Sequence, residues 1–152
     1  MFEDIGGQRV KSPVVHEFYP DSSLKDTLEG YETAGTPELQ DIYIVISTSN
    51  NNEVSLAGNG VAPNGKIVNY KKDKTYGYIL SVSLFKYADY EGNLHTPIGI
   101  FEFSYGENTA PSLGEEIQMD GTDGDVVDGV TSGGIGKIIN VDTTNSVVHA
   151  IV

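Results

Sequence analysis

The 152-residue chain has no Cys, which excludes a disulfide framework, a thiolate nucleophile and any Cys-based zinc site. The core must hold without covalent staples. Trp is absent as well, and basic residues are scarce: nine Lys and Arg stand against 22 Asp and Glu, for a formal charge of −13. Such a surface repels a phosphate backbone and an anionic membrane, so neither nucleic acid nor membrane is expected as a partner. No apolar run approaches membrane-spanning length, and the opening MFEDIGGQRV lacks the basic start and apolar stretch of a secretory signal, so the product is expected to stay soluble where it is made. Sustained helical periodicity is missing too. With 18 Gly and 38% apolar residues, the expectation is one all-β unit, a compact antiparallel β-barrel or β-sandwich with Gly-rich loops and an extended N-terminal arm. A chain of this length buries roughly 70% of the surface its unfolded form exposes.

What is present is a short self-similarity. Gly58 to Val68 reads GNGVAPNGKIV, Gly92 to Glu102 reads GNLHTPIGIFE, and Gly129 to Ile139 reads GVTSGGIGKII, with starts 34 and 37 residues apart. Each copy has Gly at its first and eighth positions, Pro or Gly at the sixth and an apolar pair after the second Gly. Gly58, Gly92 and Gly129 are expected to supply the positive φ of a tight turn, and Gly65, Gly99 and Gly136 to open a strand. With so many glycines the pairing also arises by chance, but three ungapped copies favour a strand, loop, strand unit used three times.

Residues 1–40 differ from the rest of the chain. Phe2, Ile5, Val10, Val14, Val15, Phe18 and Tyr19 are scattered among Gly, Pro and charges with no steady period, which reads as an extended arm with a partner-binding role, preceding a single β domain over 41–152. A short helix is expected over Ser22 to Gly30, capped by Ser22 or Ser23 and stopped by Gly30. Ile42 to Ile46, apolar on both faces, is expected to be a central strand. Shorter strands are expected at Glu53 to Ala57 and Lys66 to Tyr70, and Lys71 to Lys74 reads as a solvated turn. Thr75 to Tyr87 alternates, with Tyr76, Tyr78, Leu80, Val82 and Leu84 on one face. Ile98 to Tyr105 returns with Phe101, Phe103 and Tyr105 on one face, and Ile117 to Met119, Lys137 to Val141 and Val147 to Val152 complete the strands. The two Asp-Gly pairs at Asp120-Gly121 and Asp123-Gly124 are hairpin turn chemistry.

Residues that carry chemistry are hard to find. Asp120, Asp123, Asp125 and Asp128 offer oxygens to Ca²⁺, but their spacing is not that of an EF-hand loop, so plain turns are preferred. His16, His95 and His149 are too far apart for a zinc pattern. No G-x-S-x-G elbow or P-loop ending is present, so no catalytic residue, cofactor or metal site is assigned and no enzyme is expected. Tyr76, Tyr78, Tyr87, Tyr90 and Tyr105 suit either a stacking platform for sugars, a protein interface or simple packing on a half-exposed sheet.

Leu113-Gly114-Glu115-Glu116-Ile117, a turn with Asp-Gly, Gly134-Ile135-Gly136-Lys137-Ile138-Ile139, a Thr-rich turn and a closing Val-rich strand together resemble the small head-decoration, or capsid cement, proteins of tailed bacteriophages. Val54-Ser55-Leu56-Ala57-Gly58 followed by Pro63-Asn64-Gly65-Lys66-Ile67 is similar to a loop of the same family. The likeness spans roughly residues 40–70 and 95–152. It implies a non-enzymatic β protein, commonly trimeric, made in the host cytoplasm and placed on the virion, where it binds the major capsid protein on the outer surface of the shell and stabilises it. The N-terminal 40 residues and the Tyr-rich stretch from 70 to 105 depart from the family pattern. The alternative reading is a carbohydrate-binding or adhesion module, as in a tail or fibre part.

Overall fold

In the run Ile42 to Ile46 every side chain is apolar, and successive side chains of a strand point to opposite faces. In the computed structural model, which describes residues 14–85, 87–88, 94–95, 99–106 and 109–152, this run becomes β2 (Tyr43–Ile46). It pairs antiparallel with β3 (Glu53–Leu56) on one side and with β4 (Gly65–Asp73) on the other. β4 pairs with β5 (Gly77–Leu84), and β5 with β1 (Val14–Pro20), from Val14 opposite Leu84 to Phe18 opposite Leu80. The end of β1 lies parallel to β3, Tyr19 opposite Glu53 and Pro20 opposite Val54. The pairings thus return to their start in the order β1-β3-β2-β4-β5. The parallel pair departs from the purely antiparallel expectation and follows from the helix that separates β1 from β2.

That helix, α1 (Ser22–Ala34), is longer than expected, and its capping residue lies before Ser22. Its cap is Asp21, whose Oδ1 accepts the Leu24 N–H at 2.6 Å and whose Oδ2 accepts the Ser55 hydroxyl at 2.6 Å, so one carboxylate starts the helix and ties it to β3. Gly30 does not stop it. Leu24 and Leu28 are buried and Tyr31 packs beside them, a spacing that puts all three on the face lying against the strand ring. Helix continuation past Gly30 costs about 1 kcal/mol relative to Ala, less than that face gains by burial. Gly35, in the left-handed conformation at φ 75°, ends the helix by donating its N–H to Tyr31 O at 2.7 Å.

The expected extended arm over 1–40 is therefore wrong from residue 14 onward. Val14, Val15, Phe18 and Tyr19 belong to a wall strand of the ring, because β1 satisfies its backbone groups against β5 and β3. Phe18 is buried in the first core, Tyr19 stacks on Tyr76 with ring centroids 3.9 Å apart, and Val15 is exposed. Phe2, Ile5 and Val10 lie outside the described residues.

The C-terminal part adds β8 (Ile100–Ser104), β9 (Glu116–Asp120), β10 (Val126–Val130), β11 (Lys137–Asp142) and β12 (Val147–Ile151), after the short pair β6 (Tyr87–Ala88) and β7 (Leu94–His95). β9 and β10 form a hairpin across the Asp-Gly turns, with Gly121 and Gly124 at φ 74° and 75°. β11, β12 and β8 form a three-stranded antiparallel sheet in that order. The all-β class holds. Two cores result: one inside the ring under α1, the other built from Phe103, Tyr105, Ile117, Met119, Val127, Ile138, Val148, Ala150 and Val152 together with Tyr43, Ala57 and Phe85 of the first half.

The repeated glycines divide by position. Gly65 is the first residue of β4, and Gly99 and Gly136 immediately precede β8 and β11, so the second Gly does open a strand in all three copies. The first Gly does not supply the expected positive φ: Gly58 follows β3 with Gly60 taking φ 73°, Gly129 sits inside β10, and Gly92 lies outside the described residues. At Gly65 and Gly136 the reason for glycine is contact. A Cβ at Gly65 would meet Ser83 O at 2.7 Å and one at Gly136 would meet Ile151 O at 2.5 Å.

A wall strand and a dangling arm respond differently to truncation. Phe18→Ala is expected to lower unfolding free energy by about 3–5 kcal/mol, while Val15→Ala stays within about 0.5 kcal/mol of wild type in urea denaturation. Equal, small losses at both positions would show that β1 is not part of the ring.

Candidate interaction surface

The sheet β11-β12-β8 has one face in the second core and one face outward. Alternation decides which residues lie where: Phe103, Val148, Ala150 and Ile138 point in, while Ile100, Glu102 and Ser104 of β8 and Val147, His149 and Ile151 of β12 point out. Ile151 lies directly opposite Ile100 on one side and Lys137 on the other. Ile139 follows the inward Ile138 and lies outward beside them, at a register shift between Ile138 and Asn140. The loop before β9 runs along the far side of β11, where Gly114 donates its N–H to Ile138 O at 2.9 Å and Ile138 donates to Glu115 O at 2.9 Å. Leu113, the residue before Gly114, thus stands at the β11 edge of the sheet.

Leu113, Ile139, Ile151 and Ile100 thus form a row across the strands, at 68%, 44%, 44% and 64% exposure. They are half of the eight large exposed apolar side chains among the described residues. Scattered exposed aliphatics need no explanation, but a row across one sheet face does. Around it are polar groups already held in place. His149 Nε2 is 3.3 Å from Glu102 Oε2, and His149 Nδ1 is 3.2 Å from Asn140 Nδ2. Lys137 donates to Glu116 Oε1 at 3.0 Å, and Gly134 N–H donates to the other oxygen at 3.0 Å; these bonds hold the Glu116 carboxyl below its ordinary range. Asp142 is lowered likewise by Asn145, whose amide and N–H both donate to it.

Other surface features are of a different kind. An open groove of about 500 Å³ lies between α1 and the β4–β5 turn, lined by Lys25, Glu29, Lys72, Asp73, Lys74 and Gly77. Lys72 and Glu32 are 2.7 Å apart, and Tyr78 OH donates to Glu32 while accepting from Lys72. These contacts raise the Lys72 ammonium pKa and lower that of Glu32, and they fasten α1 to the ring. The run Lys71 to Lys74 is accordingly not a turn throughout: Lys71, Lys72 and Asp73 are in β4, and the turn is Lys74 to Tyr76. No nucleophile is paired with a base in the groove among the described residues.

The tyrosine platform is broken up. Tyr78 and Tyr105 are buried in different cores, and Tyr76 is exposed on top of Tyr19. Tyr90 lies outside the described residues, as does the side chain of Tyr87. Among the described residues no group of three acidic or His side chains is placed to hold a metal ion, so Asp120, Asp123, Asp125 and Asp128 are not brought together as ligands. Asp120 and Asp128 sit in paired strands, and the 121–125 turn packs on the ring instead: Gly124 is buried, its carbonyl accepts the Tyr43 N–H at 2.8 Å, and Asp123 O accepts from Tyr31 OH at 2.9 Å. Burial, with Asp123 and Asp41 nearby, raises the Asp125 pKa.

The aliphatic row escaped the sequence because it depends on register. The alternation of Phe101, Phe103 and Tyr105 already places Ile100 outward, but nothing local says that Ile151 lies opposite it. No protein-family model, curated protein or solved structure matches this chain.

The raised Asp125 pKa fixes the sign of a pH effect. The folded state takes up this proton at higher pH than the unfolded state, so ionised Asp125 is a cost to the fold at neutral pH that is relieved as pH falls. Asp125→Asn is expected to raise the urea midpoint at pH 7, and the gain should shrink through the raised folded pKa and vanish below about 3.9, the unfolded aspartate value. A gain constant from pH 7 to pH 3 would contradict this assignment.

Proposed function

We propose that this chain is a non-enzymatic structural protein of a tailed-phage virion that decorates the outer surface of the capsid by binding the major capsid protein. The supporting observation is the row Leu113, Ile139, Ile151 and Ile100, an apolar line on the outer face of a sheet that is rigidly backed by the second core. A brace requires such a surface: a fixed apolar centre with polar groups at its border, presented by strands rather than by loops. The resemblance of residues 40–70 and 95–152 to capsid cement proteins supports the same reading, and with it a homo-oligomer, a trimer by that resemblance. The acidic surface suits a protein that sits on a DNA-filled shell without binding the genome. Binding through the N-terminal arm is revised. Val15, Phe18 and Tyr19 are committed to the ring, so the sheet face takes over the docking role.

A second reading, a carbohydrate-binding or adhesion module, is favoured by one observation: Tyr76, at 46% exposure, is held on Tyr19 and pinned by Asp73, which accepts its N–H at 2.7 Å. A ring fixed in this way offers a stacking face to a sugar.

The two readings separate in one pair of measurements. Shells assembled from the cognate major capsid protein should bind it saturably on co-sedimentation and withstand heating better when decorated. Tyr fluorescence should not be quenched saturably by glycans. Shells that remain bare, with glycan quenching that Tyr76→Ala abolishes, would replace decoration by adhesion.

A further inference from the structure

We propose that the row Leu113, Ile139, Ile151 and Ile100 seats a foreign protein surface that carries an apolar ridge rimmed by Lys and Arg, and does not seat a second copy of this chain. The inference deepens the decoration reading and rests on it only for the name of the partner; the chemistry of the partner comes from the charges around the row. Residues 99–152 contain one Lys and no Arg against nine Asp and Glu. That Lys, Lys137, is already bound to Glu116 at 3.0 Å. Bordering the row are the carboxylates of Glu102, 63% exposed beside His149, and of Glu116 at Lys137, and Asp142 stands further along the same face of β11. The apolar centre supplies affinity, and the acidic border sets which partners approach quickly.

A second copy fails on charge. Two copies docked through this face form an isologous pair, and each brings a formal charge of −13 to the contact. Like charges brought together in that way oppose association, and the one ion-paired Lys137 per copy does not offset them. A partner with basic residues around an aliphatic ridge meets the opposite situation: every border carboxylate gains an ion pair, and the four aliphatic side chains are covered.

The probe for the test is a labelled extended peptide of alternating Leu and Lys, titrated into the full chain and followed by fluorescence anisotropy. Wild type should bind it saturably, with affinity that falls as salt rises. Ile151→Glu should weaken binding at least about tenfold, although it makes the protein more acidic. Ile100→Ala with Ile151→Ala should weaken it without adding charge, and Glu102→Gln should reduce the salt dependence; thermal unfolding of each variant checks that the fold is intact. Binding by Ile151→Glu as tight as by wild type would reduce the interaction to bulk charge and overturn the proposal. A concentration-dependent dimer in sedimentation, lost in Ile151→Glu, would overturn it in favour of a second copy. Capsid shells distinguish the two levels. Shells bound equally by wild type and Ile151→Glu remove this surface while leaving decoration standing, whereas peptide binding at the row with bare shells removes decoration and leaves the surface.

Discussion

Strand β2 has no solvent side, and the two halves of the molecule meet through that constraint. Ile42 and Ile44 are fully buried in the core under α1, while Tyr43 between them is buried in the second core, stacked on Phe103 with centroids 5.6 Å apart and near Phe85 at 6.3 Å. Phe85 continues the arrangement from the end of β5, touching Phe101 at 5.3 Å and Phe103 at 5.5 Å. Burying a side chain of this size is worth roughly 1.5–3 kcal/mol, and each well-placed aromatic pair adds about 0.5–1.5 kcal/mol. Tyr43, Phe85 and Ala57 are the first half's buried contribution to the second core. Burial also keeps the Tyr43 hydroxyl protonated far above the ordinary tyrosine range, consistent with a purely structural residue.

Backbone hydrogen bonds reinforce the same joint. Tyr43 donates to Gly124 O, Ala57 to Tyr43 O, and Gly60 and Met119 exchange bonds across the 58–61 loop, as Gly60 N–H to Met119 O and Met119 N–H to Val61 O. The glycine-rich loops are therefore not merely turns. They let backbones of the two halves pair, as at Gly124, whose left-handed conformation at φ 75° turns its carbonyl to accept the Tyr43 N–H. Three of the motif glycines mark places where one chain segment passes tightly against another: a Cβ would come within 3.0 Å of another segment at Gly65, Gly129 and Gly136, whereas one at Gly58 would meet nothing within 4 Å.

What could be read in the sequence is what depends on neighbours along the chain. Period-two alternation gave β5 and β8, a run apolar on both faces gave β2, and paired Asp-Gly gave the β9–β10 hairpin. What could not be read depends on partners far away. β1 has no clean alternation, since Phe18 faces the core while Val15 and His16 face solvent, and only pairing with β5 some 65 residues later makes it a strand. The extent of α1 depends on the ring it covers, because Tyr31 carries the face of Leu24 and Leu28 past Gly30 by packing on the same core. The capping residue was missed by one position because Asp21, not Ser22, also has Ser55 within reach. β10 was missed because Gly129 interrupts its pattern; its place is set by the pairing with β9.

The candidate surface follows from the same division of labour. A protein that buries β2 on both faces, covers the ring with α1 and backs the β11-β12-β8 sheet with Phe103, Val148 and Ala150 has used its apolar residues inward wherever alternation allowed. Ile100 and Ile151 stand on the outward parity, and Ile139 follows the inward Ile138, so plain alternation turns it outward; the bulge then places Asn140 outward as well, opposite His149. Removing that bulge would shift the register of β11 by one residue and change which of its side chains face the core. The irregularity in β11 therefore sets the polar Asn140–His149 pair beside the exposed row without disturbing the inward residues.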